Sequence, residues 1–169
     1  MASRQIRPIR VEGNAAYIPL TKGCEAVIDA KDAPIVDRWN WCAMVRSNTI
    51  YAYRYRTSGT KKGALLLHRA LMDEPKGLDV DHRDGDGLNN RRSNLRAATH
   101  AENQRNQRLA KNNTSGFKGV TWHKARAKWQ AQIVLNGRNH FLGYFRCQTA
   151  AAVAYAKASA EFHGEFGRT

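Results

Sequence analysis

Hydrophobic and polar positions alternate along this chain in short runs, most of them five to eight residues long. Two apolar stretches, Ala16 to Leu20 and Cys24 to Ile28, flank the turn signal Thr21-Lys22-Gly23 and predict a hairpin. Asp32 to Arg38 predicts one or two helical turns, with Asp32 as cap and Pro34 in the first turn. Trp39 to Val45 is aromatic and apolar. Ile50 to Arg56 alternates, with Tyr51, Tyr53 and Tyr55 set against Ile50, Ala52, Arg54 and Arg56. These two stretches predict a second hairpin turning at Ser47-Asn48. A basic turn over Ser58 to Gly63 precedes a helix from Leu65 to Met72. After the turn Pro75-Lys76-Gly77, Leu78 to His82 reads as a short strand, Arg83 to Asn90 as a loop and Asn94 to Arg96 as a second strand. A helix starts at Thr99, where Glu102 completes a capping box.

The pattern changes again after a polar, basic stretch at residues 106–115. Gly119 to Trp122, Lys128 to Val134 and Asn139 to Phe145 predict three strands, the last two joined at Asn136-Gly137, a strong hairpin signal. Thr149 to Glu161 predicts a helix capped by Thr149, whose alanines allow close packing on a sheet. The fold class is α+β. A small β-rich N-terminal segment leads into a strand–loop–strand–helix core, and a three-stranded antiparallel sheet packed on one helix follows. The boundaries read as a flexible basic arm over 1–15, one domain over 16–110, a linker over 111–116 and a second domain over 117–169.

Composition adds a partner. The 169 residues carry a formal net charge of +14, enough to call for a polyanion, because Lys and Arg on phosphates release condensed counterions. Charge serving solubility alone is the plainer alternative. No apolar run approaches the roughly 18 residues of a membrane span, and no secretory signal opens the chain. Cys24, Cys42 and Cys147 are far apart and form no CxxC pair, which predicts buried thiols in a reducing compartment rather than a cysteine zinc site.

The polar chemistry gathers in Leu78 to Gln107. Hydrolysis of a phosphodiester needs a divalent ion to neutralise charge and a base to make a nucleophile from water. Asp81 and the Asn103 amide offer two hard oxygens, enough for an ion such as Mg²⁺ that keeps several waters. His82 is the candidate base and Asn94 the residue that ties the loop. Asp81 and His82 are neighbours in a strand and point to opposite faces unless the chain bends there. His100 is an alternative member of the site. A calcium turn built on Asp81, Asp84 and Asp86 is another reading, although the loop lacks the EF-hand pattern.

Asp81-His82, Asn89-Asn90, Asn94 before Leu95 and Asn103 on the following helix resemble the HNH endonuclease family, the ββα-metal nucleases, and within it the phage and intron homing branch. Trp39, Trp41 and Leu67-His68-Arg69 resemble the lead-in of such proteins. The resemblance implies that His82 activates water, that Asp81 and Asn103 hold one Mg²⁺ or Mn²⁺, and that Asn94 orders the loop. It also implies a bend at Asp81-His82. Asn103 stands where histidine is more common, which resembles the strand-nicking members. A cytoplasmic, nucleoid-associated setting in a bacterial or phage-infected cell follows from the same resemblance.

Residues 111–169 hold nine basic and two acidic residues. This stretch resembles the plant ethylene-response-factor (apetala-type) DNA-binding domain through Gly119-Val120, Lys128-Trp129, Ala131, Ile133, Leu142 to Phe145, Thr149, Ala151-Ala152 and Ala154-Tyr155. The resemblance implies a sheet that reads the major groove. The matching positions hold Thr121, His123, Gln132, Val134, Asn139 and Phe141, so the arginines of that family are largely replaced. The DNA-contacting set read from the sequence is Arg54, Arg56, His68, Arg69, Arg91, Arg92, Arg96, Arg105, Lys118, Thr121, His123, Lys128, Gln132 and Arg138. The reading is a monomeric, metal-dependent DNA endonuclease that nicks one strand of a specific double-stranded site, with no small-molecule substrate and no membrane. The alternatives are a DNA-binding protein whose nuclease core has decayed, and a single-strand or RNA binder using aromatic platforms.

Overall fold

The structure is a computed structural model that describes residues 5–46, 49–56, 62–110 and 112–169. The turn expected at Ser47-Asn48 and most of the basic turn from Ser58 lie outside the described residues. The chain forms two compact units, Met1–His100 and Ala101–Thr169.

In the first unit, β1 (Arg10–Glu12), β2 (Ala15–Pro19) and β3 (Glu25–Asp29) form an antiparallel sheet in that order. The β2–β3 hairpin is the one its alternation predicts. Ala16, Ile18, Ala26 and Ile28 share the inward face and are at most 2% exposed. The turn between them uses left-handed backbone at Lys22 and Gly23. Arg10–Glu12, expected within a loose arm, pairs with β2 instead; Arg10 stacks 4.2 Å from the Tyr17 ring and ion-pairs with Glu12 and Glu25. A 3-10 turn at Ala30–Asp32 runs into α1 (Ala33–Val36). Asp32 does not cap α1 with its side chain, because its carboxylate is held by Arg92.

β4 (Cys42–Val45), β5 (Ile50–Arg56) and β6 (Gly63–Leu66) form a second antiparallel sheet. β6 takes in Leu65 and Leu66, where helix was expected, and α2 is correspondingly short (Leu67–Leu71). Pairing with β5 claims Ala64, Leu65 and Leu66 before the helix can start. Trp41, 1% exposed, anchors the core and donates its indole N–H to the Val36 carbonyl at 3.1 Å. Burying a large apolar side chain of this kind contributes about 2–3 kcal/mol. β7 (Asp79–His82) and β8 (Leu95–Ala98) form a two-stranded ribbon, and α3 (His100–Asn106) follows.

In the second unit, β9 (Val120–His123), β10 (Lys128–Leu135) and β11 (Arg138–Phe145) make an antiparallel sheet in the order β11-β10-β9. The Asn136-Gly137 turn has both residues at positive φ, as a two-residue hairpin requires. A bulge at Ala131/Gln132 shifts the register against β11. α4 (Gln148–His163) packs on one face, where its Ala151 meets Val120 and Ala131 of the sheet, with Trp129, Leu142, Phe145 and the helix's own Tyr155 around them. Its N-cap position falls on Cys147 rather than Thr149, and carries no side-chain cap bond. Gly119 is where the sheet's lead-in meets the helix. A Cβ there would lie 2.2 Å from the Tyr155 ring, and its φ is +64°. Thr121, Lys128, Val134, Asn139 and Phe141 lie on the opposite face of the sheet and are all exposed.

Candidate functional site

The ladder between β7 and β8 pairs Asp81 with Arg96 and His82 with Leu95, with no shift in register. The strand therefore carries no bulge at Asp81-His82, and β7 ends at His82. His82 is the last residue of β7, and its carbonyl accepts from Gly85 N at 2.9 Å to start the turn. Both Asp81 and His82 are 5% exposed.

The loop from Asp84 to Asn94 is tied at every step. Asn94 accepts from the Asp84 amide at 3.1 Å, and its Nδ2 donates to Asp84 Oδ1 at 2.9 Å and to the Asn89 carbonyl at 2.7 Å. Burial pushes the Asp84 carboxyl up, but bonds from the Asp86 amide, Asn89 and Asn94 outweigh this and hold it below its ordinary range. β3 braces the loop from behind. Val27 N donates to Leu88 O at 2.9 Å, and Asn90 N donates to Val27 O at 2.7 Å. Asp29 takes Arg91 Nε at 3.0 Å and the Arg92 amide at 2.9 Å. Asp32, 3% exposed, takes Arg92 through both carboxylate oxygens at 2.9–3.1 Å. The β-rich lead-in is thus a scaffold for the Asp84–Asn94 loop.

Asn90 is fully buried, and its part in the site was missed in the sequence beyond its place in the Asn-Asn pair. Its Nδ2 donates to the carbonyls of Gly87 (3.2 Å) and Leu88 (3.0 Å), which fixes which end of the amide is oxygen. That oxygen faces His82 Nε2 at 3.3 Å. An amide oxygen can only accept, so Nε2 carries the proton and Nδ1 carries the lone pair. Burial pushes the His82 pKa down, against smaller upward pulls from Asn90, Asp84, Asp81 and Asp86, and keeps the ring neutral. A neutral imidazole with one nitrogen committed to donating is the state a general base needs. The ring packs against His68, with centroids 4.9 Å apart at 90°, and Tyr51, with centroids 5.8 Å apart. His68 is itself 5% exposed. Burial, with the nearby His82 and Arg69 adding, pushes its pKa down to about 3.

The oxygens nominated for a divalent ion are the Asp81 carboxylate and the Asn103 amide. Asp81 Oδ2 accepts from Arg96 Nε at 2.8 Å and forms an ion pair with Nη2 2.7 Å away, and both side chains are 6% exposed. An ion at Asp81 therefore shares the carboxylate with a guanidinium. The positive guanidinium opposes a second cation on that carboxylate. Among the described residues no group of three or more His, Cys, Asp or Glu side chains is gathered to hold a metal. Asn103 lies half-buried on α3, within the second unit. His100 Nδ1 lies 3.1 Å from Asp79 Oδ2.

The remaining expected DNA contacts divide by what they touch. Arg54 stacks on Trp39 at 4.0 Å, Arg56 pairs with Glu74 at 2.7 Å, and Arg69 donates to the Leu78 and Pro75 carbonyls. Together with Arg91, Arg92, Arg96 and buried His68, these side chains are occupied in holding the first unit together. In the second unit Thr121, Lys128 and Arg138 are exposed, while His123 and Gln132 are half-buried. His123 stacks on Tyr144 at 5.2 Å, and Gln132 accepts from Gln130 at 3.2 Å. Lys118 Nζ donates to the Arg105 carbonyl at 2.9 Å, and burial, with Arg168 adding, lowers its pKa to about 8.

Comparison with known proteins agrees with this geometry. The sequence pattern of the family described as HNH endonuclease matches residues 73–105, the stretch that holds β7, the loop, β8 and most of α3. A 94-residue stretch is 38% identical to Protein 3.8 of Escherichia phage T7, covering 56% of this chain and 77% of that protein. A longer match, 151 residues at 32% identity, covers 86% of this chain and 74% of a protein of Acanthamoeba polyphaga mimivirus described as an uncharacterized HNH endonuclease. No solved structure matches. The chain belongs to the HNH endonuclease family.

Proposed function

We propose that this protein binds double-stranded DNA and presents to it the Asp81-His82 niche of its HNH core. The observation that carries binding is the +14 charge on a family scaffold of endonucleases, with the exposed face of the C-terminal sheet offering Thr121, Lys128 and Asn139. The resemblance of residues 117–169 to the ethylene-response-factor type enters here, as a proposal that this face meets the major groove.

What the niche does to a phosphate has two readings. Binding without cleavage has the more direct support in the described residues. The Asp81 carboxylate is engaged by buried Arg96, and no three-residue cluster of metal-binding side chains is gathered. The hydrolytic reading is favoured by a different observation, the neutral His82 ring whose protonation is fixed by Asn90. In that reading His82 Nδ1 takes the proton from the attacking water, and Asn94 keeps the loop closed behind it. Arg96 balances the charge on Asp81. Mg²⁺ or Mn²⁺, held by Asp81 and, from its place in the family motif, by Asn103, would neutralise the phosphate. Nicking of one strand by a monomer follows from a single such niche.

A supercoiled-plasmid assay with Mg²⁺, Mn²⁺ or EDTA separates the two, run beside a gel shift for wild type and His82→Ala. Metal-dependent open circles from the wild type, lost in His82→Ala with affinity unchanged, establish hydrolysis. A gel shift with supercoiled DNA intact in every lane establishes binding alone. Absence of any shift at low salt overturns the DNA assignment.

A further inference from the structure

His82 Nε2 meets the Asn90 amide oxygen at 3.3 Å, a rather long hydrogen bond. Such a bond fixes which nitrogen is protonated only if the ring plane is fixed as well. A half-turn about the Cβ–Cγ bond exchanges nitrogen and carbon positions and takes Nε2 away from Asn90. A ring packed closely against His82 blocks that turn.

His68 stands where the block is needed. Its ring lies at 90° to His82 with centroids 4.9 Å apart, a contact separation for an edge-to-face pair. Tyr51 closes the third side, 5.5 Å from His68 and 5.8 Å from His82. Both neighbours come from rigid elements, Tyr51 from β5 and His68 from α2, whose first turn bonds Met72 N to the His68 carbonyl at 3.1 Å. Gly87 leaves no slack on the loop side, since a Cβ there would sit 2.6 Å from the Tyr51 ring. His68 Nδ1 is buried without a hydrogen-bond partner. Its low proton affinity is consistent with a ring kept uncharged beside its neighbour.

We infer that His68 is a positioning residue whose flat ring, wedged edge-on against His82, holds the His82 imidazole in the single orientation and tautomer that Asn90 selects. The functional meaning of that orientation rests on the hydrolytic reading above, but the orientation itself does not.

The test reads the His82 tautomer by two-bond ¹H–¹⁵N correlation on ¹⁵N-histidine protein, without DNA or metal, at a pH above the ordinary histidine range. His82 resonances are assigned by their loss in His82→Gln. The wild type is expected to show one neutral tautomer, protonated at Nε2. His68→Ala should raise the minor tautomer roughly fivefold, while His68→Phe, which restores a flat ring, returns the single form. If His68→Ala does not fold, His68→Leu, which fills the volume without a flat ring, takes its place. A single unchanged tautomer in the variant that lacks the ring overturns the inference, and so does a folded His68→Phe that remains mixed. A residue that only fills space would shift stability and leave the tautomer alone. A wild type that cuts no DNA defeats the hydrolytic reading and leaves this result standing.

Discussion

Lowering the pH should strain this protein through His68 before any carboxylate titrates. The folded-state pKa of His68 is pushed down from 6.5 to about 3 by burial, with the neighbouring His82 and Arg69 contributing. In the unfolded chain the same ring takes up a proton near its ordinary value. Below pH 6.5 the unfolded state therefore binds a proton that the folded state refuses, and stability falls as pH falls, down to about 3. At about pH 5 the loss from this one group is roughly 2 kcal/mol. His82 and His163 have pKa values lowered in the same sense and add to the slope. Asp84 and Asp29, held below the carboxylate range, lose their contribution only at more acid pH. The assay is urea denaturation at about pH 7 and about pH 5, for wild type and His68→Phe. Phenylalanine keeps the ring and removes the titration, so the variant should lose about 2 kcal/mol less than the wild type, or roughly 1 M less in urea midpoint. An identical loss in both proteins would refute a buried, uncharged His68.

Three further substitutions test the scaffold. Asn90→Leu keeps the volume but leaves the Gly87 carbonyl without its side-chain donor and His82 without its acceptor, and should cost about 2 kcal/mol in chemical denaturation and mix the His82 tautomers. Arg92→Ala strands the buried Asp32 carboxylate and should cost about 3 kcal/mol, whereas an Arg92→Ala/Asp32→Ala double variant should recover part of that loss; additive costs would show the pair to be uncoupled. Gly119→Ala places a Cβ against Tyr155 at positive φ and should destabilise the second unit by about 3 kcal/mol, seen as a lower melting temperature; a change under about 0.5 kcal/mol would contradict the close approach.

Much of the architecture is written in local pattern. The β2–β3 hairpin follows from the alternation around Thr21-Lys22-Gly23, and β10–β11 from Asn136-Gly137, because turn chemistry and a period of two act over a few residues. The ribbon and helix at Asp79–Asn106 were legible for the same reason. What pattern does not show is the long-range pairing. Leu65 and Leu66 were read as helix because β6 gains its strand character from β5, a partner known only in three dimensions. Arg91 and Arg92 read as phosphate contacts, since nothing local announces Asp29 and Asp32 about sixty positions earlier. Arg96 looked equally available, although its register opposite Asp81 makes them an ion pair. His68 and Tyr51 meet His82 across separate elements, which no spacing rule encodes.

The Lys118 ammonium on the Arg105 carbonyl has a consequence for anyone who cuts or recombines this chain. The family pattern ends at residue 105, inside α3, and the lysine that satisfies a carbonyl of that helix's last turn lies thirteen positions further on. Excising residues 1–110 as a minimal nuclease would leave α3 with a frayed end. Replacing the sheet module by a foreign one would remove the same anchor. The natural seam for a chimera lies at the start of α3, next to His100, where one compact unit gives way to the other. A fusion that keeps α3 with its own sheet exchanges whole folding units, and one joined at the apparent linker does not.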